Sequence, residues 1–315
     1  MTRQTPPATV SRDILSGIAI CMLIFVSTLY LPVLGFFMTC VLPQPVLFYR
    51  LKLGRNLGLV IPLAVVILIG ILIQGLTVDI FFCFALLMTG YVLGEFLETR
   101  MSMEKTIAYT VASTLGICLA LLIIYTVTTG QNLLTLVSDY VVKNLEFSLQ
   151  LYSEMGLSEE KIGLISSKLE LIGYYLTRLL PALLTVMLTV IAWLNTLLIK
   201  KILKKKGITF SWLGILNRWK TYDHLVWFVI LFSLITLIPH RGAALLGWNF
   251  LLVLMLVYFF QGMAVLAFYF EKKGFPAVLR FFFYSLIVIQ QVLIILVIGL
   301  GFFDTWLNFR KLEKE

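Results

Sequence analysis

Residues 245–270 decide the fold, and they read LLGWNFLLVLMLVYFFQGMAVLAFYF without one charged side chain. The hydrocarbon core of a bilayer is about 30 Å thick and a helix rises 1.5 Å per residue, so about 20 apolar residues make one crossing. This stretch is therefore long enough to cross a membrane as a single helix.

The composition of the whole chain extends that conclusion. Hydrophobic residues make up 60% of the 315 residues and charged residues only 13%, and the mean hydropathy is +1.00. A soluble domain carries about 25% charged residues, which cover its surface. This chain has too few charged residues to form such a surface. We therefore expect one integral membrane domain over residues 1–315. Its fold class is all-α, a polytopic transmembrane helix bundle.

Apolar runs separated by prolines and charged loops predict eight or nine spans in that bundle. Pro32 and Gly35 divide the first long run, because proline removes a backbone donor and clashes with the preceding turn. The tight corner at 74–77 joins the next two runs. The predicted spans are about 14–30, 33–49, 57–74, 79–94, 107–128, 172–199, 224–239, 245–270 and 278–301.

Residues 129–171 break the pattern, because charged residues stand among regularly spaced apolar ones. Leu145, Leu149 and Tyr152 recur at helical spacing, as do Ile162 and Ile165 after Gly156. This periodicity predicts an amphipathic helical hairpin outside the bilayer.

The basic residues predict the orientation. They fall in the loops at 50–55, 200–223 and 272–280, while the opposite side carries the acidic 129–171 segment. Short loops rich in lysine and arginine stay in the cytoplasm. We therefore expect a bacterial inner membrane protein with a cytoplasmic N-terminus and an extracytoplasmic hairpin. Nine spans would place the C-terminal tail outside and eight would place it inside.

The net charge of +9 resides in these loops, which favours membrane topology over nucleic-acid binding. The densest part of the basic loop at 200–223 gains roughly 1 kcal/mol per residue from anionic lipid headgroups. Docking of a cytoplasmic partner is the alternative interpretation. The cluster comprises Lys200, Lys201, Lys204, Lys205 and Lys206.

Polar groups at membrane depth are candidates for a binding site. Gln44 stands between Pro43 and Pro45, and broken helices of this kind line substrate sites in transporters; a plain kink is the alternative. Arg178, three residues before Pro181, either snorkels outward along its methylene stem or faces an anionic ligand.

Three glutamines lie deeper in predicted spans: Gln261, Gln290 and Gln291. Interhelical hydrogen bonds of roughly 0.6 kcal/mol would account for them. Adjacent helical residues point about 100° apart, so we expect at least one of Gln290 and Gln291 to face the bundle or a cavity. Together with Gln44 and Arg178 they are the predicted substrate-binding residues.

Signatures of catalysis are missing from the sequence. It holds no P-loop, no H-E-x-x-H and no G-x-S-x-G. The four cysteines lie inside apolar runs and predict neither disulfides nor a metal site. We therefore expect no enzyme activity, no cofactor and no energy source of the chain's own.

Three stretches carry a resemblance to a known family: 45–54 (PVLFYRLKLG), 260–274 (Phe-Gln-Gly followed by Phe-Glu-Lys-Lys-Gly) and the tail at 301–311, which contains Trp306 and Arg310. With the helix count, they resemble the YybS family of uncharacterised bacterial membrane proteins. That family is loosely similar to the substrate-binding subunits of energy-coupling-factor vitamin transporters, which depend on separate ATPase and coupling subunits. Those subunits usually have fewer spans, and the same looser group includes MreD-like morphogenesis proteins.

Two functional hypotheses follow. The first is a transport component that binds a vitamin or small metabolite, with the hairpin as a lid and separate coupling and ATPase subunits as partners. The second is a membrane scaffold that docks partners through the lysine cluster, Trp306 and Arg310.

Overall fold

The computed structural model describes residues 7–73, 78–156, 158–205, 211–213 and 216–311, and the regular structure in these ranges is helical throughout. The predicted corner at 74–77 and Lys206 lie outside the described residues. The helices are α1 (Pro7–Tyr30), α2 (Pro32–Val41), α3 (Pro43–Leu53), α4 (Arg55–Ile73), α5 (Val78–Glu98), α6 (Met103–Thr129), α7 (Leu133–Glu154), α8 (Glu159–Ser166), α9 (Leu169–Lys204), α10 (Leu225–Thr236), α11 (Arg241–Lys272), α12 (Ala277–Ile289) and α13 (Gln291–Leu307), with short 3₁₀ turns at Ser211–Leu213 and Leu216–Arg218.

Six of these helices are long and apolar enough to cross a membrane: α1 (over Thr9–Thr28), α4, α5, α6, α9 and α11. The pair α12 and α13 makes a seventh if it counts as one span, although it bends by 105° at its break. The all-α, multi-pass membrane architecture expected from the sequence is confirmed at this level. Six or seven candidate spans are fewer than the predicted eight or nine.

The difference has a local cause. The predicted span at 33–49 is divided at Leu42 into α2 and α3, because Pro43 begins a new helix at the position where its missing N–H costs least. The predicted span at 224–239 forms only the 12 residues of α10, which rise about 18 Å. Each piece alone is shorter than a bilayer core.

The chain folds into two compact units. Unit 1 comprises Met1–Thr177 and Met187–Leu213, and unit 2 comprises Arg178–Val186 and Gly214–Glu315. The residues of α9 are therefore shared between the two.

In unit 1, α5 packs against α3, α4 and α6. Two glycines one turn apart allow the close approach of α3. A Cβ on Gly90 would overlap the backbone carbonyl of Pro43, and one on Gly94 would stand 2.5 Å from Cδ of Arg50. Small residues at this spacing let helix backbones come together where lipid provides no hydrophobic driving force.

In unit 2, α11 packs along α13. A Cβ on Gly262 would overlap the carbonyl oxygen of Val297, and one on Gly301 would overlap that of Tyr258. The bent α12–α13 pair begins and ends beside the last turn of α11. The Phe270 ring lies 5.2 Å from that of Phe275, just before α12, and the Tyr269 hydroxyl donates to the carbonyl of Phe309, just after α13, at 2.8 Å.

Candidate functional site: a polar helix break

The junction of α2 and α3 leaves backbone groups without helical partners. The amide of Leu42 donates back to the carbonyl of Thr39 at 3.3 Å, while Pro43 and Pro45 have no N–H to donate. The last carbonyls of α2 and the first amide groups of α3 therefore meet at one place.

This junction lies near the middle of the bundle of unit 1. The ten residues of α2 place it about 15 Å from the start of that helix. Pro43 contacts Gly90, which lies about 18 Å along α5 from Val78. Both measures place the junction at about half the thickness of a bilayer core.

Gln44 is buried at this junction with its carboxamide unused. The residue is only 8% exposed, and neither Oε1 nor Nε2 has a hydrogen-bond partner among the described residues. A buried polar group left without a partner costs about 1–3 kcal/mol. A buried polar group without a partner at membrane depth is therefore a candidate for a binding position.

Asn195 of α9 braces the same junction. It is 0% exposed, and its Nδ2 donates to the Cys40 carbonyl at 2.9 Å and to the Ile191 carbonyl at 2.8 Å. Its Oδ1 finds no hydrogen-bond partner in the described part of the chain. Cys40 and Gln44 are four residues apart, so at most about 14 Å of chain separates them. We call the junction with Gln44 and Asn195 the break site.

A cluster of charges closes the end of unit 1 where α3 and α5 finish. Arg50 is 2% exposed; its Nη2 lies 2.8 Å from Glu95 Oε1 and its Nη1 lies 2.8 Å from Glu98 Oε1. Lys52 contacts Asp13 at 2.6 Å and so ties the start of α1 to the end of α3. The guanidinium charge is therefore compensated by two carboxylates.

The other end of α5 holds the helical hairpin formed by α7 and α8. The hydroxyl of Tyr140 in α7 donates to Oδ1 of Asp79 at 2.5 Å. Burial, followed by the hydrogen bond to Asp79, raises the pKa of Tyr140. Asp79 and Glu95 are both in α5 and about 24 Å apart along it, so the hairpin and the Arg50 cluster contact opposite ends of this helix.

A groove lies between α7, α8 and α9. Its volume is about 90 Å³, and its lining includes Leu145, Leu149, Tyr152, Ile165 and Ile172. Four of these residues, all but Ile172, are among those whose spacing predicts the hairpin; Leu145 and Leu149 are half-buried, whereas Tyr152 and Ile165 are exposed. Ligand pockets usually enclose about 300–1,000 Å³, so this groove is too small to hold a vitamin-sized molecule.

Unit 2 contains a buried ion pair that pins the C-terminal segment. Nη2 of Arg310 donates to Oδ2 of Asp304 at 2.7 Å, with both side chains at most 1% exposed. Nη1 of Arg310 also donates to the carbonyls of Asn217 and Trp219. Gln261 completes the network.

The predicted substrate-binding residues divide between the two units. Gln44 belongs to unit 1, and the other four belong to unit 2. In Gln261, Nε2 donates to Asp304 at 3.1 Å and Oε1 accepts from the Thr221 amide at 3.3 Å. Its carboxamide therefore stabilises the fold of unit 2.

The remaining three of these residues are at the surface. The side chain of Arg178 is exposed, and its carbonyl accepts from Asn249 at 3.0 Å. Gln290 and Gln291 are both exposed, so neither faces the packed bundle, and the alternative that one of them faces a cavity stays a prediction. The reason for their exposure is that the helix breaks at Gln290, and the spacing of 100° per residue no longer applies across the break.

The predicted partner-contact residues also differ in exposure. Lys201, Lys204 and Lys205 are exposed at the end of α9, while Lys200 is half-buried. Trp306 is 55% exposed. Arg310, however, is buried against Asp304, so its guanidinium cannot reach a partner, and the predicted contact is wrong for this residue.

Sequence reasoning missed Arg50 as the partner of Glu95 and Glu98, and Arg310 as the partner of Asp304. Glu95 and Glu98 are three residues apart on one helix face, a spacing that brings side chains together, and it could have pointed to a shared cation. Which cation they share depends on the packing of α3 against α5. Arg310 was not recognised as the partner of Asp304 either, although it lies only six residues further along the chain.

These features define the class of protein. The chain is a multi-pass helical membrane protein with a buried polar break in one of its two units. It belongs to the family described as predicted membrane protein (DUF2232), whose family model matches residues 19–305. Neither curated proteins nor solved structures give a match to the chain.

Proposed function

We propose that this protein is a solute-binding component of a membrane transport system and that the break site holds the solute. The carboxamide of Gln44 carries the proposal, because it is buried at mid-depth with both polar atoms open. Non-helical backbone at membrane depth is tolerated where it lines a protein or water-filled cavity, and such breaks form the binding sites of many transporters.

The chain supplies binding and not catalysis in this proposal. Without a nucleotide-binding motif in its sequence, it relies on separate ATPase and coupling subunits, as its resemblance to the YybS family and to vitamin-transporter substrate subunits implies. The exposed lysines at the end of α9 offer these partners, or anionic lipid headgroups, a basic surface.

The proposed orientation, in a bacterial inner membrane, places the Arg50 cluster in the cytoplasm and the hairpin outside. Arg50, Lys52 and Arg55 are at one end of α5 and Tyr140 is at the other, and basic loops favour the cytoplasm. In this topology α2 and α3 together make one crossing and α10 makes a short one.

The same proposal makes the α12–α13 pair re-entrant. The residues that flank its two ends contact the last turn of α11, where Lys272 and Lys273 lie. The chain then crosses eight times, and the C-terminal tail is cytoplasmic. A cysteine introduced at Lys311 should react with an impermeant thiol reagent only from the cytoplasmic side; labelling from outside would refute this topology.

The binding proposal is tested by thermal unfolding of the purified full chain in nanodiscs with fractionated cell metabolites. Gln44→Leu should fold at least as stably as the original chain, because it removes an unpartnered buried amide. It should also abolish any stabilisation by a metabolite fraction. Gln150→Leu, on the exposed face of α7, is the matched control. No stabilisation by any fraction, or equal stabilisation of both variants, would contradict the proposal.

A scaffold role is the second candidate, and the exposed side chains of Lys201, Lys204, Lys205 and Trp306 favour it. Replacing the three lysines by glutamine should then release co-purifying proteins from the chain. If the same proteins remain bound, the scaffold role is excluded for this surface.

A further inference from the structure

We infer that the break site takes a small neutral solute that presents a hydrogen-bond donor and an acceptor on one edge, such as a carboxamide or a lactam. This inference rests on the proposed function and specifies the class of ligand. It follows from the charges around the site and from the polar atoms left open there.

The depth at which Gln44 lies carries no charged side chain. In unit 1, residues 14–49, 56–78, 80–94 and 187–199 contain no Asp, Glu, Lys or Arg. These ranges include the parts of α1, α2, α4, α5 and α9 that lie between the two ends. A charged solute would therefore lose its hydration without gaining a counter-ion, which is costly at membrane depth.

The nearest cation along α3 is not free to bind an anion. Arg50 lies six residues after Gln44, about 9 Å along the helix, and Glu95 and Glu98 already hold its guanidinium. An anionic solute would have to displace two carboxylates from a nearly fully buried side chain.

The open atoms also select against both signs of charge. Oε1 of Gln44 and Oδ1 of Asn195 are acceptors, and they would repel an anion. Nε2 of Gln44 is a donor, and a cation would leave it unpaired. A neutral group that both donates and accepts satisfies all three atoms.

A carboxamide matches such an edge with two parallel hydrogen bonds. Glutamine reads an adenine edge in the same bidentate way, with one atom donating and the other accepting. The Oδ1 of Asn195 then accepts from a further N–H or hydroxyl of the solute. An amide, a lactam or a ureide provides this pattern, while an ether or a hydrocarbon does not.

Entry of the solute requires a small opening of the junction, because the polar atoms of Gln44 are enclosed. Pro43 and Pro45 cannot donate backbone hydrogen bonds, so moving α2 away from α3 at Leu42 breaks few of them. Arg50 holds the far end of α3 in place during this movement.

The test compares three probes that share one ring: nicotinamide, which is neutral, nicotinate, which is an anion, and 3-picolylamine, which is a cation at neutral pH. Each is titrated into the full chain in nanodiscs of uncharged lipid, and binding is followed by ligand-observed NMR. Gln44→Leu, Asn195→Leu and the control Gln150→Leu are titrated in parallel. We expect nicotinamide to bind about tenfold more tightly than either charged probe. Its affinity should fall about tenfold in Gln44→Leu, slightly less in Asn195→Leu, and not at all in the control.

The other outcomes separate this inference from the proposed function. If a charged probe binds most tightly and depends on Gln44, the ligand class is overturned while the binding site stands. If no probe binds in a Gln44-dependent way and no metabolite fraction stabilises the chain, both are overturned. A structure with saturating nicotinamide in which Gln44 contacts ordered water only would also overturn the inference.

Discussion

Replacement of Arg310 by methionine tests how unit 2 is held together. Methionine keeps much of the length of the side chain but removes the guanidinium that pairs with Asp304 at 2.7 Å. It also removes the donor to the carbonyls of Asn217 and Trp219. Asp304 then remains buried, with Gln261 and the Phe309 amide as its remaining donors among the described residues.

The expected loss of unfolding free energy is about 4 kcal/mol. Removing one partner of a buried ion pair costs about 3–5 kcal/mol, because the other charge is left without compensation. By contrast, replacing both partners by apolar residues of similar size is often neutral. The double variant Asp304→Leu with Arg310→Met should therefore recover about half of the stability that the single variant loses, because the two carbonyl hydrogen bonds of Arg310 stay lost at about 1 kcal/mol each.

The measurement is equilibrium unfolding in detergent micelles with increasing SDS, followed by tryptophan fluorescence and circular dichroism. Lys311→Met is the control, because this neighbouring side chain is exposed and should change stability by less than about 0.5 kcal/mol. A single variant as stable as the control would refute the reasoning. So would a double variant that is less stable than Arg310→Met.

Three further results are expected. Gly262→Leu should lower the unfolding free energy by about 1–3 kcal/mol or more, because the new side chain overpacks against α13. Gly299 has no described atom within 4 Å of its Cβ position, so Gly299→Leu should leave the unfolding free energy nearly unchanged in the same SDS assay. Tyr140→Phe removes the hydrogen bond to Asp79, which is worth about 1.5–3 kcal/mol for a charged acceptor. Amide hydrogen exchange should therefore accelerate in α7 and not in α11. Unchanged exchange in α7 would show that this hydrogen bond does not stabilise the hairpin. Because the pKa of Tyr140 is raised above its ordinary value of 10.0, its stabilising contribution should be complete below about pH 10 and decline as the pH rises further, and an unfolding series from pH 8 to 11 should show a smaller alkaline decline in Tyr140→Phe.

The sequence alone was sufficient for the class of protein and for the position of the main break. The apolar run at 245–270 and the low charge content require burial in lipid, whatever the arrangement of the helices. The break at Pro43 was equally readable, because the missing N–H of proline acts within its own helix. The hairpin followed from a periodicity that each helix carries by itself.

The number of crossings could not be fixed in this way. Hydropathy measures the length of an apolar run, but α10 and the α2–α3 pair show that a run long enough in sequence can form helices that are individually short. The exposure of Gln290 could not be predicted for the same reason. The chain bends by 105° at this residue, and the bend redirects side chains that a straight helix would have turned inward.

The break site shows most clearly what the sequence determines and what the packing of the helices decides. The sequence determined that Gln44 stands between two prolines at membrane depth, because proline geometry and hydrophobicity are properties of neighbouring residues. Only the tertiary structure decided that its carboxamide is enclosed without a partner among the described residues, while both polar atoms of the Gln261 carboxamide have hydrogen-bond partners. Hydrogen-bond partners such as Asn195 and Cys40, or Gln261 and Asp304, are distant in the chain, and only the packing of the helices brings them together or keeps them apart.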